Sequence, residues 1–142
     1  MHPYLTAYGC AALVFLGLDA LWLTTMADRL YRPAIGHLMA QQPDWLAAAL
    51  FYPAYLAGLV YFAVVPALAT QRARDALVRG ALLGLLAYAT YDLTNQATLQ
   101  GWPWSVTLVD LAWGAFVTGA AAWAAAAAAL ATSRRARPAS GR

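Results

Sequence analysis

The sequence predicts an all-α membrane protein, an antiparallel four-helix transmembrane bundle, and three observations predict it. Of the 142 residues, 63% are hydrophobic and only 11% charged, where soluble chains carry roughly 25% charged residues. Four apolar segments each reach the length of about 20 residues that a helix needs to cross the hydrocarbon of a bilayer. The arginines stand in short groups at the ends of these segments, as positive-inside topology requires.

The first segment runs from Tyr4 to Met26. Met1-His2-Pro3 lacks the basic region of a signal peptide, and Asp19 interrupts the apolar run, so this segment is expected to remain in the mature chain. A long connection from Asp28 to Pro43 follows. Its Ile35, Leu38 and Met39 have the spacing of a short helix lying on the membrane interface, and an ordinary loop is the equal alternative. The second segment, Trp45 to Ala69, has Asp44 as its N-cap. Pro53 and Pro66 are expected to loosen or kink it. The third, Leu77 to Thr98, is closed by Gly101, and the fourth, Pro103 to Ala131, begins with a first-turn proline. Ser133 to Arg142 is basic and poor in apolar residues, which reads as a disordered tail. Trp45, Trp102 and Trp104 fit an aromatic belt at one interface.

Arg72, Arg74 and Arg79 precede or open the third segment, and Arg134, Arg135, Arg137 and Arg142 follow the fourth. An even number of spans puts both groups on one side, expected to be the cytoplasm, with both termini there. The same distribution explains the net charge of +3 without a nucleic-acid partner. Cys10 is the only cysteine, which excludes disulfides and cysteine-based metal sites within one chain. His2 and His37 lack a second histidine at helical spacing, so no metal site is expected.

Three of the six acidic residues, Asp19, Asp92 and Asp110, lie inside the spans, where an aspartate at mid-bilayer costs about 2.5–3.5 kcal/mol. Asp19 is seven residues before Met26, Asp92 six before Thr98 and Asp110 seven after Pro103. All three therefore lie at one depth, on the order of 10 Å below one boundary. Asp19-Ala-Leu-Trp22 and Asp110-Leu-Ala-Trp113 each set a tryptophan on the face of its aspartate. Tyr88, Asp92 and Asn95 share a stripe of the third segment, with Thr90, Tyr91 and Thr94 beside it.

Leu18-Asp19-Ala20-Leu21-Trp22, Tyr31-Arg32, Phe51-Tyr52, Tyr88 through Asn95, Gly101-Trp102-Pro103 and Val109 through Gly114, in this order, resemble the bacterial membrane-protein family catalogued as domain of unknown function twenty-one seventy-seven. The resemblance covers almost the whole chain and is most specific from Tyr88 to Asn95. It implies a small multi-pass inner-membrane protein and brings no catalytic residues with it.

Two readings of the aspartates compete. In one they form a structural polar network that fixes helix register. In the other Asp19, Asp92, Asp110 and Asn95 hold a proton, a cation or the polar head of a small amphiphilic ligand, with Trp22, Trp113 and Tyr88 lining the apolar part and Asp92 as the centre. Binding or transport is the leading function, with transport requiring a homo-oligomer because four helices enclose little space. The alternatives are an enzyme acting on a lipid-like substrate through paired carboxyls and an accessory subunit. Any cofactor is left unknown by the sequence, and neither a nucleotide loop nor a metal motif supports the enzyme alternative. Gly80-Ala-Leu-Leu-Gly84 and the run Ala120 to Ala129 are expected to serve helix packing only.

Overall fold

In a computed structural model, which describes residues 2–136, the chain forms four helices long and apolar enough to cross a membrane: Pro3–Leu38, Trp45–Thr70, Ala73–Thr98 and Trp104–Arg135. The first comprises α1 (Pro3–Met26), a π turn (Ala27–Tyr31), α2 (Arg32–Ile35) and a 3₁₀ turn (Gly36–Leu38). The second comprises α3 (Trp45–Leu59), a π turn (Val60–Val64) and α4 (Val65–Thr70); α5 (Ala73–Thr98) and α6 (Trp104–Ala136) are continuous.

Each π turn ends one residue before an X-Pro step, Arg32-Pro33 in the first span and Val65-Pro66 in the second. Proline collides with the carbonyl four residues back, and a wider turn relieves that collision without breaking the rod. The loosening expected at Pro66 is therefore a local change of helix type. At the start of α3, Asp44 caps as expected, its Oδ1 accepting from the N–H groups of Leu46 and Ala47 at 2.9 and 3.1 Å. Gly101 takes the positive φ of 76° that closes the last turn, which only glycine adopts at no steric cost.

Several boundaries differ from expectation. α5 starts at Ala73 rather than Leu77, so Arg74, Asp75 and Arg79 are helical. The connection shrinks to Gln71-Arg72 because Gln71 adopts a left-handed φ of 57° and Arg72 N–H returns to the Ala67 carbonyl. Pro103 stands just before α6, its carbonyl accepting from Val106 N–H at 3.1 Å. Ser133 to Ala136, expected to be disordered, continue α6; the remainder of that tail lies outside the described residues. Trp45 and Trp104 are exposed as belt residues, but Trp102 is buried with Ile35 and Val106 in a small cluster under α2. The connection after α1 is thus helical, and Ile35 turns inward while Leu38 and Met39 remain exposed.

The inward stripes explain how the aspartates come to lie inside. Residues four apart share a helix face; α1 buries Ala7, Ala11, Phe15 and Asp19, and α5 buries Ala76, Gly80, Gly84 and Asp92. Each stripe of mostly small residues ends in a carboxyl. Between α5 and α6 the approach is close: a Cβ at Gly80 would lie 2.6 Å from the Ala122 Cβ and 2.8 Å from the Thr118 carbonyl, and one at Gly84 would strike Gly114 and Thr118. Tyr88 in turn rests on Gly114. Contacts that climb α5 descend α6, so this pair runs in opposite directions. Five alanines of α6, Ala121, Ala122, Ala125, Ala126 and Ala129, are fully buried and join Ala7, Ala11 and Phe15 in the main core. Lipid offers no hydrophobic drive toward helix association, so such backbone approach is what holds the bundle.

α3 departs from this packing. From Trp45 to Tyr55 no residue is fully buried; Tyr52 and Tyr55 pack against the core from its edge, and the second span enters it at Leu56, Leu59, the π turn and Ala67. The first half of α3 is thus held to the bundle by tyrosine side chains, at the end where the carboxyls lie.

Candidate functional site

At that end α1, α2, α3, α5 and α6 enclose a cavity of about 390 Å³, within the usual range for small-molecule pockets. Asp19 and Asp110 line it together with Trp22, Trp113, Tyr31 and Tyr52. Both carboxyls are buried, at 8% and 6% exposure, and each is held by one tyrosine. Tyr52 O–H donates to Asp19 Oδ2 at 2.6 Å. Tyr31 O–H donates to Asp110 Oδ1 at 2.5 Å and itself accepts from the Trp22 indole N–H at 2.8 Å. A relay from Trp22 through Tyr31 thus orients Asp110. Phe15, fully buried, packs edge-on against Tyr52 with ring centroids 6.3 Å apart.

The repeated Asp-x-x-Trp brings its two tryptophans together. Trp22 and Trp113 stack with centroids 4.2 Å apart and planes 9° from parallel. Pairing the indoles face to face leaves Trp113 N–H buried with no acceptor among the described residues.

Asp92 sits behind the cavity wall. It is fully buried, it does not line the cavity, and neither carboxyl oxygen has a hydrogen-bond partner when both aspartates are ionised. Its near polar neighbour is the Asp110 carboxyl, within hydrogen-bonding reach. Ionised carboxylates only accept, so one proton held between the two groups is the arrangement that gives Asp92 a partner. Asp92, expected at the centre of the site, does not line this cavity, which presents Asp19 and Asp110.

Tyr88 lines the cavity as expected. Asn95 does not; it is half-buried on α5. The three carboxyls do not converge as a metal-ligand group among the described residues. No arginine lines the cavity, and Arg32 is engaged at the surface with Asp28 at 2.9 Å.

A family model described as "Predicted membrane protein (DUF2177)" matches residues 4–127. The chain belongs to the DUF2177 family. No curated protein and no solved structure matches it. The region matched to DUF2177 contains every residue of the cavity, and the family that the sequence resembles is thereby shown.

Tyr31 and Tyr52, which the sequence offered only among the residues that carry the family resemblance, were not among the expected site residues, yet they bond the two cavity carboxyls. Tyr52 had a signal: it is seven residues into a span that begins at Trp45, the same depth that singles out Asp19 and Asp110. Tyr31 had none of that kind. It belongs to the connection after α1, and the π turn that continues the first helix brings it to Asp110.

Proposed function

We propose that this integral membrane protein binds a small amphiphilic organic cation in the cavity between Asp19 and Asp110 and, when assembled into oligomers, carries it across the membrane. One observation supports the reading above all: two buried carboxyls face a single aromatic-walled cavity that no arginine enters. A carboxylate removed from water calls for a compensating charge; Asp19 is met by one tyrosine O–H, which leaves acceptor positions free for a ligand, and Asp110, bonded by Tyr31 and backed by Asp92, still faces the cavity. Trp22, Trp113, Tyr31 and Tyr52 add ring faces, which attract quaternary and primary ammonium groups by about 0.5–2 kcal/mol each. A purely structural network would close on itself, whereas here the acceptors point into open volume.

The test is calorimetric titration of the protein in nanodiscs of uncharged lipid with tetramethylammonium. Saturable binding that disappears in the Asp19→Asn/Asp110→Asn double variant is the expected result. No saturable binding, or binding unchanged in that variant, overturns the proposal.

The reading includes an orientation in a bacterial inner membrane. The α5–α6 register carries Arg72 and Arg74 toward the end that holds Arg134 and Arg135, and by the positive-inside rule that end is cytoplasmic. Both termini then face the cytoplasm and the cavity lies near the opposite surface. In intact cells, a cysteine at Gln41 in a Cys10→Ser background should react with a membrane-impermeant maleimide and one at Arg135 should not; the reverse pattern inverts the orientation.

A further inference from the structure

We infer that the cleft between α3 and α5 receives the alkyl chain of the amphiphile whose head occupies the Asp19–Asp110 cavity, so that the ligand is a long-chain ammonium drawn from the bilayer. The inference rests on the proposed head-group site and extends it to the rest of the molecule.

Three features on the lipid-facing side lead here. The half of α3 from Trp45 to Tyr55 has no buried residue, which leaves a gap against α5. In that gap is a second cavity of about 310 Å³ lined by Phe51, Tyr55, Ala87, Tyr88 and Tyr91, none of them charged. Tyr88 and Tyr91 line the carboxylate cavity as well, so the apolar cleft and the acidic cavity share a wall and together make one site, charged at one end and apolar at the other. Tyr55 is pinned by its hydroxyl to Thr118 Oγ1 at 2.9 Å and stacks with Phe51 at 5.3 Å, which fixes the α3 wall. Ala87 is the small residue of the α5 wall, half-buried beside Tyr88; the volume missing there is what a chain of methylenes would occupy.

The occupant follows from the combination. A compact inorganic cation has no use for the apolar extension, and an uncharged lipid has none for two carboxylates. An alkylammonium uses both, and entry between α3 and α5 never exposes its chain to water.

Titration of nanodisc-embedded protein with decyltrimethylammonium and, in parallel, tetramethylammonium tests this, using Ala87→Trp to fill the cleft and Ala87→Leu as a milder filling. Ala87→Trp should weaken decyltrimethylammonium binding by about tenfold or more while changing tetramethylammonium binding by less than about twofold, with Ala87→Leu between the two. The tetramethylammonium result certifies that the filled variants are folded with an intact head site. If both probes bind and neither variant weakens the decyl compound, the cleft is not the chain site and this inference falls alone. If neither probe binds the unaltered protein, the head-group reading falls and takes this one with it.

Discussion

Asp110→Asn is expected to weaken tetramethylammonium binding by about ten- to a hundredfold while the protein stays folded. Hydrogen bonds and contacts to a charged group contribute about 1.5–3 kcal/mol, and each 1.4 kcal/mol is about tenfold in affinity. The substitution keeps the shape of the side chain, and its amide oxygen still accepts from Tyr31 O–H, which now donates at 2.5 Å. Stability is therefore preserved while the charge facing the cavity is lost. Asp92→Asn is the informative contrast. Its amide would supply the N–H donor that Asp110 faces in place of an unpartnered oxygen, so binding should change by less than about threefold. Calorimetry on the two variants side by side decides the matter: a large loss in Asp92→Asn with Asp110→Asn silent would return the centre of the site to α5.

Gly84→Ala is expected to lower the thermal midpoint more than any other glycine-to-alanine change in the spans. The added methyl would meet the Gly114 carbonyl and the Thr118 hydroxyl, and a backbone carbonyl cannot move aside as a flexible side chain can. Overpacking of this kind costs about 1–3 kcal/mol. Separating α5 from α6 also displaces Tyr88 and Asp92, so ligand binding should fall with stability. Gly119→Ala, whose nearest neighbour would be 3.2 Å away at the Leu77 carbonyl, should have a smaller effect, and Gly17→Ala, with nothing within 4 Å, should be silent. Thermal unfolding followed by loss of monodisperse protein measures all three. Equal midpoints for Gly84→Ala and Gly17→Ala would show that the close approach of α5 and α6 contributes nothing.

Much of the bundle was legible because membrane crossing imposes length and polarity on a sequence directly. Asp44, Gly101 and the four apolar runs announce helix ends through backbone chemistry alone. The common depth of Asp19 and Asp110 was also readable, since rise per residue converts position into height. What depth cannot supply is azimuth. Asp92 shares the level of the others yet does not line the cavity, and neither does Asn95, one turn away on the same stripe. The start of α5 was hidden by Arg74 and Asp75, whose charges suggest a loop although they belong to the helix. Trp102 was misplaced for a related reason: a tryptophan at an interface signals a belt unless a neighbouring segment covers it, and α2 does so through Ile35.

The π turn at Ala27–Tyr31 makes the spacing along the chain, and not only its composition, part of the site. A π turn holds one residue more than the α-helical turn it replaces, and removing any one residue of it would let the helix close in ordinary fashion. Everything beyond would then rotate by about 100° and retreat by about 1.5 Å, carrying the Tyr31 hydroxyl away from Asp110 and from the Trp22 indole. A protein with every side chain of the cavity intact but one residue fewer between Trp22 and Tyr31 would lack the relay. The site is written partly as a count, and a comparison of amino-acid identities alone would not detect its loss.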